Sequence, residues 1–286
     1  NSPIPMSSRY VQVGARKIYF VEAGRGPVVV MLHGGGPGAS GLSNYSKNLQ
    51  SLAQHFRVLV PDMPGYGEST KGLDNKDPFG DLASGILGLL DALDIDRAHL
   101  IGNSLGGACA LRMALERPDR VGRLVLMGPG GIDTSRALPT KGLRLLMNYY
   151  SDDGPSLDKL QEWIRTYLVY DGRAVPDQLI EQRYLASIDP EVVKYGSQLK
   201  PKGLPNFKNI DFTRDPRLNE LQNHTLVLWG INDKVNRPSG ARSLQKRLAN
   251  CDVYLFSKTG HWVQWERADE FNAVVLAFAR LFAACA

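Results

Sequence analysis

The chain has 286 residues, 43% apolar and 22% charged, with a net charge of +5 at pH 7. That is apolar material enough for one α/β domain with an inserted subdomain, and it excludes general disorder. No run of Lys and Arg marks a nucleic-acid groove, and the longest apolar stretch, 273–279, is far short of a membrane span. The residues Asn1-Ser2-Pro3-Ile4-Pro5-Met6 carry no apolar core of the signal-peptide kind. Cys109, Cys251 and Cys285 are odd in number and lack metal-ligand spacing, as suits reduced thiols. A cytoplasmic enzyme is the expectation.

Short β-branched runs alternate with helical patterns, which predicts parallel strands joined by crossover helices. In chain order, strands are expected at 17–22, 28–32, 56–61, 98–101, 123–127, 225–229 and 253–256. Several are apolar on consecutive residues, as in strands covered on both faces. Helices are expected at 81–93, 105–116, 238–248 and 269–284. The rhythm breaks between 132 and 222, where helical patterns (143–150, 157–170, 176–187) lead into a loop-like stretch at 200–217. Strand rhythm then resumes, so 132–222 is expected to be a helical cap, inserted into a core of 1–131 and 223–286. A cap there would lie over the C-terminal edge of the sheet, where such folds place ligands.

The sharpest chemical signal is Gly102-Asn103-Ser104-Leu105-Gly106, between an apolar strand and an amphipathic helix. Gly-x-Ser-x-Gly in that setting is a tight elbow that lifts a serine hydroxyl above the sheet. The helix beginning at Leu105 aims its unpaired N–H groups at a developing anion. A serine needs a base. Of five histidines, His261 alone follows a late strand and precedes the final helix, the place of the base in the order Ser…Asp…His. Asp233, in the turn after strand 225–229, is the expected carboxylate, with Asp62 the rival. The glycine-rich His33-Gly34-Gly35-Gly36-Pro37-Gly38 lacks the Lys-Ser/Thr of a phosphate loop and suits an oxyanion hole better.

With these segments, the chain resembles the meta-cleavage product hydrolases, a group of α/β-hydrolases that split a C–C bond in 2-hydroxy-6-oxohexa-2,4-dienoates. The matching stretches are His33 to Gly38 with Ser43-Asn44-Tyr45, Gly102 to Gly107, Leu126-Met127-Gly128-Pro129-Gly130-Gly131, and Gly260-His261-Trp262-Val263-Gln264-Trp265-Glu266. The resemblance implies an α/β-hydrolase fold with a mostly parallel sheet and a helical cap. It further implies a Ser104–His261–Asp233 triad and an oxyanion hole from the N–H groups of Gly35 and Leu105. Asn44, Asn103 and Arg183 would hold the dienoate's carboxylate and 2-oxygen, with Trp262, Gly34 and Gly36 close to substrate. Leu168 stands where aryl-accepting relatives are expected to carry a larger aromatic. No cofactor or metal is implied, and the partners expected are a small anionic dienoate and further copies of the chain, in a dimer or higher assembly. A serine carboxylesterase, or a slow ligand-binding module on the same scaffold, is the alternative reading.

Overall fold

The apolar runs become strands of one eight-stranded sheet in the structure, a computed structural model that describes residues 2–283. The strands are β1 (Met6–Val13), β2 (Arg16–Ala23), β3 (Val28–Leu32), β4 (Arg57–Pro61), β5 (Ala98–Asn103), β6 (Val121–Met127), β7 (Thr225–Gly230) and β8 (Cys251–Phe256). They lie in the order β1-β2-β4-β3-β5-β6-β7-β8. From β4 to β8 every neighbouring pair is parallel, whereas β2 pairs antiparallel with both β1 and β4.

The helices follow as α1 (Gly41–Tyr45), α2 (Leu49–Ala53), α3 (Pro78–Ala92), α4 (Leu105–Glu116), α5 (Lys141–Met147), α6 (Leu157–Glu162), α7 (Asp177–Ser187), α8 (Pro190–Tyr195), α9 (Phe207–Ile210), α10 (Ser239–Arg247), α11 (Val263–Glu266) and α12 (Ala268–Ala283). Strand side chains alternate between faces. Val30, Leu32, Leu100, Leu124, Leu126 and Val227 pack with α3, α4 and α10, while Val29, Met31, Ile101, Val125, Met127 and Leu228 pack with α2 and α12. This double coverage explains the unbroken apolar runs. Among the described residues, none between β6 and β7 forms a strand. Tyr149, Leu160, Trp163, Ile164, Val175 and Ile180 build a separate apolar cluster there, closed from the core side by Val235, Trp262 and Trp265.

Three sequence expectations need correction. Strand β1 was not foreseen, because it is an edge strand whose side chains mostly face solvent, with Met6 54% and Tyr10 52% exposed. Second, the stretch 157–170 is not one α-helix: α6 ends at Glu162 and the chain widens into a π-helical segment, Trp163–Leu168. Such segments concentrate at functional sites. Third, 200–217 is not wholly loop, since it holds α9 and 3-10 turns at Phe212–Arg214 and Pro216–Glu220. The turns are nucleated by Asp211 and Asp215 accepting from backbone N–H groups two residues on, which leaves no apolar period to read. Cys285 and the last residue of the expected final helix, 284, lie outside the described residues.

Close backbone contact sets how α4 packs on the sheet. A Cβ on Gly106 would lie 2.1 Å from the Leu32 carbonyl oxygen, so α4 packs onto β3 only with glycine there. Gly106→Ala is therefore expected to cost about 3 kcal/mol or more, read as a lowered urea midpoint with an unchanged m-value.

Candidate active site

β5 ends at Asn103 and α4 begins at Leu105, so Ser104 alone turns the chain. It does so at φ 55°, ψ −111°, a conformation that costs a non-glycine residue about 1–3 kcal/mol. Surrounding hydrogen bonds over-determine it: the Ser104 N–H donates to Met127 O (2.9 Å), and Ser104 O accepts from Gly130 N–H (2.9 Å). A Cβ on Gly102 would sit 2.3 Å from the Gly106 carbonyl oxygen, which closes the elbow to any larger residue.

His261 and Asp233 meet from loops after β8 and β7. The imidazole Nδ1 lies 2.7 Å from Asp233 Oδ2, with both side chains almost wholly buried. Asp233 Oδ1 accepts from the N–H groups of Val235 (2.8 Å) and Asn236 (2.9 Å), which fixes the carboxylate's rotation. An ionised carboxylate can only accept, so the imidazole proton sits on Nδ1 and Nε2 is left as a base. Asp62, the rival acid, instead accepts from the N–H groups of Glu68, in its own turn, and of Gly41, at the start of α1.

The loop after β3 is set by His33, whose role sequence reasoning missed. His33 Nε2 accepts from the Met63 N–H (2.9 Å), so Nδ1 carries the proton and donates to Gly34 O (2.6 Å). Complete burial pulls the His33 pKa below its ordinary value. The loop thereby brings Gly35 against Leu105: a Cβ on Gly35 would lie 2.8 Å from Leu105 Cδ2. Leu105 is the first residue of α4, so its N–H has no partner within the helix.

Gly34, Gly35, Gly36, Asn44, Asn103, Ser104, Leu168, Arg183, His261 and Trp262 all line one narrow cleft of about 20 Å³. Arg183, from α7, is only 5% exposed, yet among the described residues no carboxylate pairs with it. Its Nε and Nη2 share one backbone acceptor, Pro37 O (3.1 and 2.9 Å), and desolvation pulls its pKa down to about 10. A Cβ on Gly36 would lie 2.7 Å from Nη2, so glycine makes room for the guanidinium. Asn44 Oδ1 accepts from Trp262 Nε1 (2.9 Å), while its buried Nδ2 has no partner. Asn103 is engaged otherwise: its amide donates to Met127 O and His261 O and accepts from Gln264.

The histidine loop is tied to the inserted helices. The His261 N–H donates to Leu168 O (2.9 Å), at the end of the π-helical segment. Glu266 accepts from the N–H groups of Gly260 (3.0 Å), Trp262 (2.9 Å) and Tyr170 (2.6 Å), straddling His261 and reaching across to the insertion. Glu266 was quoted in the sequence motif, but nothing in one sequence reveals a contact with residue 170. A second cavity of about 730 Å³ shares Gly35, Gly36, Ala39, Leu146 and Arg183 with the cleft and opens between the loops 35–46 and 65–68 and helices α7 and α8.

Comparison with known proteins fits this geometry. The family described as alpha/beta hydrolase fold matches residues 27–268. A meta-cleavage product hydrolase from Pseudomonas fluorescens IP01 superposes with a TM-score of 0.85 at 31% identity, covering 95% of this chain and 97% of that one. The chain belongs to the meta-cleavage product hydrolases of the α/β-hydrolase family. Within that family it is 36% identical to the 2-hydroxy-6-oxo-6-phenylhexa-2,4-dienoate hydrolase of Burkholderia cepacia, over 95% of this chain and 96% of the relative. It is 37% identical to the 2-hydroxy-6-oxononadienedioate/2-hydroxy-6-oxononatrienedioate hydrolase of Comamonas testosteroni, over the same 95% and 96%.

Two measurements follow from these contacts. His33 has a lowered folded pKa, so the unfolded chain binds more protons below about pH 6.5, and stability should fall as pH drops through that value. His33→Gln should flatten that part of a Tm-against-pH curve. Glu266→Ala should lower kcat by up to about 100-fold while KM stays within a factor of a few, because the base is displaced rather than the pocket.

Proposed function

We propose that the chain hydrolyses the C–C bond beside the 6-oxo group of 2-hydroxy-6-oxohexa-2,4-dienoates, with Ser104, His261 and Asp233 as its triad. The observation that carries this reading is the buried guanidinium of Arg183, which lines the same cleft as Ser104 and pairs with no carboxylate among the described residues. Burying an unpaired charge is costly, and the cost is recovered when an anion arrives. A guanidinium and a carboxylate form two parallel hydrogen bonds, so Arg183 selects a planar carboxylate over a neutral ester end. The unpartnered Asn44 Nδ2 supplies a further donor nearby, for the carboxylate or the 2-oxygen. Asn103 acts less directly than the resemblance implied, holding His261 and Gln264 in place through its amide.

The chemistry follows from the protonation states. The dienol first takes a proton at carbon and becomes a ketone, since only then can the fragment leave as a stabilised carbanion. His261 Nε2 is the shuttle for that proton. Ser104 Oγ then attacks the C6 carbonyl as the imidazole takes its proton, and Asp233 stabilises the imidazolium. The N–H groups of Gly35 and Leu105 face the oxyanion, where losing one donor typically costs about 3 kcal/mol. Collapse breaks the C–C bond and releases 2-hydroxypenta-2,4-dienoate, and water clears the acyl group as a carboxylic acid. Residues 132–222 serve as the lid that keeps bulk water from this sequence. The two relatives' substrates share the dienoate end and differ beyond C6, which is consistent with a common recognition by Arg183 and Asn44.

Loss of the yellow dienolate absorbance on adding enzyme tests the reading directly. Efficient hydrolysis of an activated ester with the dienolate left untouched would overturn it. Ser104→Ala should retain binding while turnover falls by about 10⁴-fold or more. Arg183→Gln should raise KM for the dienoate and leave ester turnover little changed.

A further inference from the structure

The two kinds of curated relative differ in charge at the far end of the substrate, one acting on a phenyl ketone and the other on a chain ending in a second carboxylate. Identity does not separate them, at 36% and 37%. The lining of the site does. Among the described residues bordering the cleft and the larger cavity, Arg183 is the only Lys or Arg. It is already committed on two of its nitrogens to Pro37 O, and the remaining donors suit one carboxylate. Besides Arg183, the uncharged polar side chains of Asn44, Asn103 and Ser104 and the imidazole of His261, the cleft wall is apolar, from Leu146, Leu168, Trp262 and Trp163, whose ring lies 5.8 Å from the Arg183 guanidinium. In the larger cavity the other charged side chains are Asp62, Glu68 and Asp189, all acidic.

Resting on the function proposed above, we infer that this site takes an uncharged group beyond C6, aryl or alkyl, and rejects a tail ending in a carboxylate. Whichever way the tail leaves Ser104, it meets no second cation among the described lining residues. Along one route the tail is desolvated against leucine and tryptophan, and along the other it approaches three carboxylates. Either arrangement penalises a second anion, by the same cost that makes Arg183 welcome the first. Discrimination here is by exclusion: no group has to recognise the neutral tail, and the charged one is refused. Leu146 and Leu168 are the specificity-determining residues, because a cation at either position would border the cleft.

The test compares three substrates of one length: 2-hydroxy-6-oxonona-2,4-dienoate, the dienedioate in which C9 is itself a carboxylate, and the compound in which C9 is the matching carboxamide. The dienedioate is expected to show a kcat/KM at least ~100-fold below the methyl-ended compound, with the neutral amide nearer to the latter. Leu146→Lys and Leu168→Lys should each raise the ratio of carboxylate to methyl turnover by ~10-fold or more. A ratio measured on one preparation is insensitive to loss of folded protein. Comparable turnover of the carboxylate and the methyl compound by the unaltered enzyme would overturn the inference and leave the proposed function standing. Turnover of none of the three, under conditions where an activated ester is hydrolysed, would overturn the function itself and this inference with it.

Discussion

At the C-terminal end of β5 the backbones of β3, β5 and α4 come within contact distance because residues 102 and 106 have no side chain. That approach fixes the axis of α4, and with it the direction in which the first N–H groups of the helix point. It also leaves a single residue to make the turn, so Ser104 has no unstrained alternative that would keep both neighbours in place. The strain is held by hydrogen bonds to β6 and to the Gly128–Gly131 loop, which are themselves anchored in the sheet. Ser104 thus stands where strand, helix and sheet neighbour meet, while Asp233 and His261 come from loops.

The loops are held in a different way. Each is secured by a buried or half-buried polar side chain that satisfies backbone N–H groups: His33 for the loop after β3, Asp233 for the turn after β7, and the half-buried Glu266 for the histidine loop. Buried polar groups are costly unless paired, so these networks specify one arrangement and disfavour near alternatives. Against that background of satisfied groups, the incomplete pairing of Arg183 and Asn44 Nδ2 is conspicuous. The protein tolerates a desolvated guanidinium at the place where a substrate carboxylate would relieve it.

Much of this was legible in the sequence, and the limits have physical causes. The central strands announced themselves because burial on both faces forces unbroken apolar runs, and the elbow because its glycines answer a steric demand visible in five residues. His261 and Asp233 could be chosen by chain order, since each follows a recognisable strand. Strand β1 could not, because an exposed edge strand need not be apolar. The π-helical widening at 163–168 depends on backbone geometry that periodicity does not record. Glu266 and Gln264 act through contacts with residues far away along the chain, so their importance shows only once the chain is folded. Asn103 was expected at the substrate; it lines the cleft, and the hydrogen bonds of its amide to Met127 O, His261 O and Gln264 could not be read from one sequence.

The hydrogen bond from the His261 N–H to Leu168 O, with the Glu266 contact to Tyr170, ties His261, the proposed general base, to the inserted residues at the level of the backbone. A shift of residues 168–170 would therefore be passed on to the imidazole. On the function proposed above, the base and the insertion are positioned as one unit, so a change in either would be felt at the other.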